Sequence, residues 1–353
     1  MLTVQIVIPC FTERRWFHTL KAIRSAQEQT YESEVVVVVD HNESLLARLK
    51  AEVASEVTVV SNRFTKGASG ARNTGVLAGT ADLIAFLDDD AIAEPTWIEH
   101  LMHGLKQQPS AVGAGGAVVP VWETSCPKWY PREFSWVIGG TPARPAGGPS
   151  SVRNVWSCNM IVRRQCFNQA GAFRAGFGKV DGSPEPEDTE LCLRMALLTP
   201  EATWLFIPNA AVRHVVPAER ATWLYFVSRC WAEGRGKAAL ASVADGGVRT
   251  LTDEAVFVGN VLSRGLYFNF AAAIGGDVFG LGRAAAIIAG VFSAGMGFAV
   301  TAASMRSRHV LARFRSSVLA EGVSSMPGAL PSKPLAAGFL APLPGAQDVE
   351  NER

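Results

Sequence analysis

The first part of the chain alternates short, mainly apolar runs with segments whose apolar residues recur at helical spacing. The apolar runs are Val4–Pro9, Glu34–Val39, Val57–Val60 and Leu83–Leu87. Runs of this kind, rich in β-branched residues, are typical of strands buried on both faces of a parallel sheet. Between the first two runs, the apolar residues of Glu13–Gln29 recur every three or four positions, which predicts a helix.

This alternation predicts an open, mostly parallel α/β sheet with helices on both faces. Helices are also expected over Ser44–Val53, from about Ser69, over Arg163–Ala170 and after Glu187, and further strands at Ala111–Val119, Asn154–Val162, Trp204–Pro208 and Ala211–Val216. Ligands of such sheets bind beyond the carboxyl ends of the strands. Because Asp40 follows the second strand and Asp88 follows the fourth, we expect both at one edge of the sheet.

Three consecutive aspartates, Asp88, Asp89 and Asp90, end the fourth predicted strand. Adjacent carboxylates repel one another and raise each other's pKa values. A divalent cation relieves this repulsion, and Mg²⁺ or Mn²⁺ suits a site made of oxygen ligands. The run therefore predicts a cation site, with a solvated acidic turn as the alternative.

From Thr222 onward the pattern becomes helical and increasingly apolar. Thr222–Leu240 combines basic and aromatic residues, and Asp253–Phe270 is amphipathic. Ala284–Met305 has no charged residue. The segment is long enough for one bilayer crossing, which needs about 20 apolar residues. A buried or interfacial helix is the alternative.

An arginine cluster follows that apolar segment, at positions 306, 308, 313 and 315. The positive-inside rule places this end of the segment in the cytoplasm. A single span would then separate the two ends of the chain, whereas insertion of Val256–Ile274 as a re-entrant partner would keep both on one side. We expect a catalytic domain over residues 1–221, a membrane-associated helical region over 222–315, and a disordered Pro/Ser/Gly-rich tail over 316–353.

The composition restricts the class of protein. Charged residues make up 18% of the chain, below the roughly 25% of soluble proteins, and the deficit lies near the C-terminus. The net charge of +1 gives no reason to expect nucleic acid as a partner. Six scattered cysteines without a CxxC pair, and no signal-peptide pattern at the start, predict reduced thiols in the cytoplasm.

Six motifs follow one another in a recognisable order: IVIPCFTER, VVVVVDHN, NRFTKGASGARNTG, FLDDDA, WSCNMIVRRQCF and PEPEDTELCLR. Together they resemble glycosyltransferase family 2 over roughly Val4–Trp231. The resemblance implies the GT-A fold, a Rossmann-like nucleotide-diphospho-sugar transferase fold. PEDTELCLR, VRHVV and YFVSRCWAEGRGKA are similar to segments of enzymes that extend polyprenyl- or dolichyl-phosphate-linked glycans, archaeal glucuronosyltransferases among them.

The resemblance places the nucleotide-sugar donor beside the first two strands. It implies that Pro9 and Glu13 flank the nucleotide pocket and that Asp40 accepts the N3–H of uracil. An ordinary strand-to-helix turn and a helix N-cap are the respective alternatives. His41 and Asn42 depart from the DDGS or DNS pattern of the family, which leaves further base contacts open.

The glycine-rich segment after the third strand carries Lys66 and Arg72. Cations and backbone amides in such a segment can offset the charge of a pyrophosphate. Solvated surface charge is the alternative for both side chains.

By the same resemblance, the Asp-x-Asp pattern of the family falls on Asp88 and Asp90. Asp88 is then expected on the ribose side and Asp90 on the metal, and Asp89 could replace either. His214, in a late apolar strand, matches the place of a third metal ligand in related transferases. A core histidine is the alternative.

Glu187 and Asp188 match the acidic pair of the family, which implies that Asp188 is the general base for the acceptor hydroxyl. The alternative is that these acids complement a helix dipole. Trp156 and Asn159 resemble the floor of the sugar and acceptor site, although Trp156 could equally pack in the core. Arg229 and Trp231 resemble the Arg-Trp element of processive synthases, but an intervening cysteine argues against processive polymerisation.

The sequence thus predicts a metal-dependent inverting glycosyltransferase at the cytoplasmic face of a membrane. It would move a sugar from a nucleotide donor, which we expect to be UDP-linked, to a polyprenyl-phosphate-linked acceptor. A polysaccharide acceptor, soluble or on the cell surface, and an inactive transferase-like membrane scaffold are the alternatives. A sugar nucleotidyltransferase would need a GxGTR-type loop after the first strand, where Pro9–Arg15 has none.

Overall fold

The structure is a computed structural model that describes residues 2–142, 147–174, 179–180, 183–184, 186–243 and 252–324, except for the side chains of residues 179–180, 183–184, 243, 252–253 and 306–324. The strands are β1 (Val4–Cys10), β2 (Glu34–Val39), β3 (Val57–Ser61), β4 (Leu83–Leu87), β5 (Ala91–Ala93), β6 (Ala111–Trp122), β7 (Ser150–Val152), β8 (Asn159–Arg163), β9 (Lys179–Val180), β10 (Ser183–Pro184) and β11 (Thr203–Val216). The α-helices are α1 (Trp16–Gln27), α2 (Glu43–Glu52), α3 (Ala68–Leu77), α4 (Trp97–Gln107), α5 (Arg164–Gln169), α6 (Glu187–Ala196), α7 (Trp223–Val243), α8 (Thr252–Asn260), α9 (Leu266–Ile274) and α10 (Phe279–Ser324).

The main sheet has the strand order β3-β2-β1-β4-β8-β6-β11-β5, with β7 paired to β11. Strands β3, β2, β1 and β4 run parallel, as predicted. Strand β8 lies antiparallel between β4 and β6, and β5 and β7 lie antiparallel to β11. The sheet is therefore mixed, and its parallel part places the ends of β1, β2 and β4 side by side.

The alternation of side chains along the parallel strands builds a core on each face of the sheet. Ile6, Ile8 and Val37 belong to one buried cluster, and Val7 and Val38 belong to the other. Full burial of one such side chain contributes about 1.5–3 kcal/mol. Continuous apolar runs thus reflect a sheet that helices cover on both faces.

Helix α3 packs unusually close to the sheet. A Cβ on Gly75 would lie 2.2 Å from Val7 Cγ1 and 3.1 Å from Val38 Cγ2. Only glycine permits this approach, so Gly75 lets the C-terminal part of α3 lie directly against β1 and β2. The glycine-rich motif therefore has a packing role in addition to any ligand role.

Several predicted elements differ from the observed ones. The two late strands form a single strand, β11, with a register shift between Ile207 and Val212, where Pro208 has no N–H to donate. The predicted strand from Asn154 begins only at Asn159 because the backbone first makes a turn, in which the Asn159 N–H donates to the Trp156 carbonyl. Strands β5 and β7 and helix α4 were not predicted.

A third buried cluster joins the C-terminal helices to the sheet region. It contains Tyr130 and Phe134 from the segment between β6 and β7, Phe226 from α7, Val261 before α9 and Ile287 from α10. The chain divides into two compact units, Met1–Ala302 and Ala303–Arg353, so α7–α9 belong to the unit that contains the sheet. The functional division predicted at residue 221 stays a prediction.

Among the described residues, Phe279–Met305 of α10 forms the one segment long and apolar enough to cross a membrane. Ile288, Phe292, Met296 and Val300 recur every four residues along it, and each is at least 41% exposed. The backbone of α10 continues to Ser324, so residues 316–324 of the predicted disordered tail are helical. The rest of that tail lies outside the described residues.

Candidate active site

A cavity of about 1430 Å³ lies at the carboxyl ends of β1, β2 and β4. This confirms the prediction that Asp40 and Asp88 meet at one edge of the sheet. The predicted site residues that line the cavity are Pro9, Asp40, Lys66, Arg72, Asp88, Asp89, Asp90, Trp156, Glu187, Asp188, His214 and Arg229. Glu13, Asn159 and Trp231 are not among its lining residues.

Asp40 holds the glycine-rich loop against the end of β2. Its Oδ1 accepts from Asn62 Nδ2 at 2.7 Å, and its Oδ2 accepts from the Gly67 N–H at 2.9 Å. Each carboxylate oxygen retains a second lone pair. The N-cap of α2 is Asn42, which accepts from the Leu45 N–H at 3.0 Å, so the N-cap alternative for Asp40 is wrong.

The three aspartates have different surroundings. The side chain of Asp88 is 30% exposed, whereas those of Asp89 and Asp90 are almost fully buried. Arg15 Nη1 lies 2.7 Å from Asp89 Oδ1 and 3.0 Å from Asp90 Oδ2, and the Arg15 guanidinium lies over the ring of Phe11. One guanidinium therefore offsets the repulsion between the two buried carboxylates, and a solvated acidic turn is excluded.

Strand pairing brings His214 to the aspartates. Strand β5 begins directly after Asp90 and pairs antiparallel with β11, in a register that places Ala91 opposite His214. The Val215 N–H donates to the Asp90 carbonyl at 3.0 Å. In consequence, His214 Nε2 lies 3.3 Å from Asp90 Oδ1.

Burial and pairing act in opposite directions on the two buried carboxyl groups. Burial raises the pKa of Asp89 to about 7, although the charge of Arg15 opposes this. Burial alone would also raise the pKa of Asp90, but the hydrogen bond and charge of His214, together with Arg15, hold it well below its usual value. Asp90 is therefore the carboxylate of this pair that stays ionised.

Asp90 and His214 fit as two ligands of a divalent cation whose remaining ligands would come from a bound substrate. Their facing atoms are 3.3 Å apart, close to the roughly 3 Å between adjacent ligands of a small octahedral cation. Asp89 Oδ2 and His214 Nδ1 are buried without a hydrogen-bond partner in the described part of the chain. In the described part of the chain, no group of three or more His, Cys, Asp or Glu side chains is arranged to hold a metal ion.

Arg72 connects the aspartate run to the acidic pair on α6. Its Nη2 donates to Asp88 Oδ1 at 2.9 Å and its Nη1 to Glu187 Oε1 at 3.0 Å, while its guanidinium lies 5.5 Å from the centre of the Phe173 ring. Arg72 is 3% exposed. The surface-charge alternative for this residue is therefore wrong, and its pyrophosphate role stays a prediction.

Glu187 and Asp188 occupy the first turn of α6, with both side chains at the cavity. Asp188 Oδ1 accepts from the Thr189 N–H at 2.7 Å. Burial, with the charge of Glu187, raises the pKa of Asp188 to about 6. A carboxylate whose pKa lies near neutrality is suited to take a proton from a hydroxyl group.

The predicted acceptor residues have mixed placements. Trp156 faces the cavity and also packs against the main core cluster. Asn159 is buried in the core, where it accepts from Trp97 Nε1 at 2.7 Å and donates to two backbone carbonyls. Arg229 faces the cavity, whereas the Trp231 backbone packs against Gly297 of α10.

Glu13 also has an internal partner. Its Oε2 accepts from Asn42 Nδ2 at 3.0 Å, so it ties the turn after β1 to the N-terminus of α2. Sequence reasoning did not predict Arg15, Gly139, Glu233 or Lys237 as part of the site. For Glu233 and Lys237 a signal was present, because they follow the predicted residue Arg229 at successive i,i+4 spacings.

Comparisons with known proteins show what this chain is similar to. The model of the family described as Glycosyl transferase family 2 matches residues 5–171. A glucosyl-dolichyl phosphate glucuronosyltransferase of Haloferax volcanii is 31% identical over 240 residues, which are 67% of this chain and 76% of that protein. An Escherichia coli UDP-Glc:alpha-D-GlcNAc-diphosphoundecaprenol beta-1,3-glucosyltransferase is 36% identical over 92 residues, 25% of this chain and 35% of the relative.

A solved structure shows the same fold. A mannosyltransferase from Pyrobaculum calidifontis, in complex with GDP-Man and Mn²⁺, superposes with a TM-score of 0.50 at 16% identity. The superposition covers 83% of this chain and 87% of that one. The GT-A fold predicted from the sequence is thereby confirmed.

Proposed function

Because the chain belongs to glycosyltransferase family 2, we propose that it transfers a sugar with inversion from a UDP-linked donor to a polyprenyl-phosphate-linked acceptor at a membrane. The observation that carries this proposal is the extent of one cavity. Its lining includes Asp40 and Asp88 at the strand edge, Asp188 at the start of α6, and Val291 and Phe298 of the apolar helix α10. The strand edge suits a nucleotide, Asp188 suits an acceptor hydroxyl group, and the apolar side chains of α10 suit a hydrocarbon chain.

Asp188 acts as the general base in this proposal. Its carboxylate takes the proton of the acceptor hydroxyl while the oxygen attacks the anomeric carbon from the face opposite the leaving group. The pKa of about 6 keeps Asp188 ionised at neutral pH and basic enough to accept the proton. Direct attack in a single step supports inversion at the anomeric carbon.

Asp40 and the start of α3 hold the donor. Asp40 keeps lone pairs for the uracil N3–H while it positions the Gly67 N–H. The cavity wall at Lys66, Gly67 and Ala68 combines a cation with a helix N-terminus, and helix N-termini favour phosphate groups. Arg72 positions Asp88 and Glu187 around the sugar.

Asp90 and His214 would hold Mg²⁺ or Mn²⁺. When bound, such a cation stabilises the negative charge that builds on the departing diphosphate. Without the cation, Arg15 offsets the repulsion between the carboxylates of Asp89 and Asp90. The chain thus supplies two ligands and a counter-charge that does not depend on the metal.

The exposed apolar stripe of α10 supports membrane association. Soluble surfaces rarely carry a continuous apolar patch, and such a patch marks a contact with lipid or protein. Phe292 on this stripe is 68% exposed, while Val291 beside it lines the cavity. One helix would therefore contact the bilayer on one side and the acceptor chain on the other.

The test is a transfer assay with membranes that contain the full-length protein. A panel of labelled nucleotide sugars is supplied, and lipid is extracted with organic solvent. We expect label from a UDP-sugar in the lipid fraction, and none with an Asp188→Asn variant. Label confined to a water-soluble polymer would contradict the lipid acceptor, and full activity of Asp188→Asn would contradict the mechanism. A wild type that labels no acceptor with any of the nucleotide sugars would favour the inactive-scaffold alternative.

A further inference from the structure

A second charged cluster lines the same cavity on α7, α8 and the segment before β8. Arg153 Nη1 and Nη2 each lie 2.8 Å from the Glu254 carboxylate, and Lys237 Nζ lies 2.9 Å from it. Lys237 also lies 3.4 Å from Glu233, whose other oxygen accepts from Arg229 at 3.1 Å. We call these five residues the α7 cluster.

The α7 cluster carries more positive than negative charge. Its described members are three cations and two carboxylates, and each side chain is less than 30% exposed. Burial would lower the pKa of Lys237, but the charges of Glu233 and Glu254 raise it above its usual value. Lys237 is therefore protonated, and the excess positive charge of the cluster favours an anion in the cavity.

Two neighbours indicate which anion this is. The cluster and the proposed base Asp188 line the same cavity, and the charge of Lys237 favours the ionised form of Asp188. Phe257 and Val258 of α8 and Ala294 of α10 continue the same cavity wall with apolar surface. A ligand that fits has a hydroxyl group, then an anionic group, then a hydrocarbon chain.

We infer that Arg153 and Lys237 bind the phosphate group that links the sugar to the lipid in the acceptor. This inference rests on the proposed lipid acceptor and specifies where its phosphate lies. The guanidinium of Arg153 already holds a carboxylate through two parallel hydrogen bonds, and the same fork binds phosphate oxygens. Glu254 occupies the phosphate position in this structure and moves away when the acceptor enters.

The experiment measures binding of farnesyl monophosphate and of farnesol to the full-length protein in detergent, by isothermal titration calorimetry. We expect the wild type to prefer the phosphate by at least tenfold. Arg153→Gln and Lys237→Gln should each lose this preference. Arg235→Gln, which changes an exposed arginine on α7 close to Lys237, should keep it. Equal binding of phosphate and alcohol by the wild type overturns the inference.

Glu254→Gln gives a test with the opposite sign. This variant keeps Arg153 and Lys237 and removes the competing carboxylate, so farnesyl monophosphate should bind several-fold tighter. Unchanged or weaker binding overturns the inference, and this test remains valid if the arginine variant does not fold. A loss of UDP binding in the Arg153 and Lys237 variants, in place of lost lipid-phosphate binding, would assign the cluster to the donor and also overturns the inference.

The transfer assay separates this inference from the proposed function. If sugar is transferred to lipid and the acceptor KM is the same in wild type, Arg153→Gln and Lys237→Gln, only the phosphate site is wrong. If the wild type transfers no sugar to lipid but shows the phosphate preference and its loss in both variants, the phosphate site stands and the proposed function fails.

Discussion

The Arg72 Nη1 atom on α3 lies 3.0 Å from the Glu187 Oε1 atom at the start of α6, although 115 residues separate the two in the chain. The second nitrogen of the same guanidinium binds Asp88. One buried arginine therefore links Asp88, which we propose lies on the donor side, to Glu187, which directly precedes the proposed general base Asp188. Changes at Arg72 should affect stability and transfer together.

The Arg72→Gln variant removes the shared counter-charge of Asp88 and Glu187. We expect the free energy of unfolding to fall by roughly 2–3 kcal/mol, somewhat below the usual cost of breaking a buried pair because Asp88 still reaches solvent. The transfer rate should fall at least about tenfold, since the base loses its position. Urea unfolding and initial rates measure the two effects.

Two further variants control this prediction. Arg63→Gln changes an exposed arginine in the loop that precedes α3 and should leave both quantities unchanged. Arg72→Lys keeps the charge but cannot bind two carboxylates in a fork, so it should restore stability more than rate. Wild-type rates in Arg72→Lys would show that the two-sided contact is unnecessary.

The pH dependence of transfer should follow Asp188. Because burial raises its pKa to about 6, the base is protonated below this pH, and kcat/KM should fall as the pH decreases through about 6. Glu187→Gln removes the neighbouring negative charge, which lowers the pKa of Asp188 and should move the acidic limb to lower pH. The pH at the midpoint of the acidic limb is compared between wild type and Glu187→Gln. The maximal kcat/KM is not compared, because it also reflects the lost contact between Glu187 and Arg72. An unmoved limb would exclude Asp188 as the group that titrates.

Metal binding should depend on His214. We expect His214→Ala to weaken Mn²⁺ binding in the presence of UDP by at least about tenfold, a loss that even supporting residues of metal sites produce. Electron paramagnetic resonance of free Mn²⁺ measures this without turnover. His103→Ala, at an exposed position on α4, is the control. Equal Mn²⁺ affinity in His214→Ala and the wild type would make His214 a core residue that supports Asp90.

Gly139 shapes the other side of the His214 ring. It has φ of +82°, and a Cβ there would lie 2.8 Å from His214 Cε1. Gly139→Ala should cost about 1–2 kcal/mol of stability from the left-handed backbone, and it should raise the Mn²⁺ concentration needed for half-maximal activity because the imidazole is displaced. Gly148→Ala is the matched control, since nothing lies within 4 Å of its Cβ position. An unchanged Mn²⁺ requirement in Gly139→Ala would show that the ring position does not matter for metal binding.

The strands of the parallel half could be predicted because burial on both faces requires a short run of mainly apolar residues, which is visible in the sequence. Val4–Pro9 is apolar except for Gln5, Leu83–Leu87 is apolar throughout, and the side chains of both strands are buried in the clusters on the two faces of the sheet. Strand β5 has three residues and β7 is an edge strand of three, so neither has enough residues for a period to appear. Their existence depends on pairing with β11.

The sequence by itself determined the family, the GT-A fold and the edge of the sheet at which Asp40 and Asp88 meet, because the order of motifs and the direction of parallel strands are properties of the chain. Only the tertiary structure decided the partners within the site. Asp90 meets His214 through the β5–β11 register, Arg72 joins Asp88 to Glu187, and Arg153 meets Glu254 across 101 residues. Such contacts leave no periodic pattern in the sequence, since they depend on where whole strands and helices are placed.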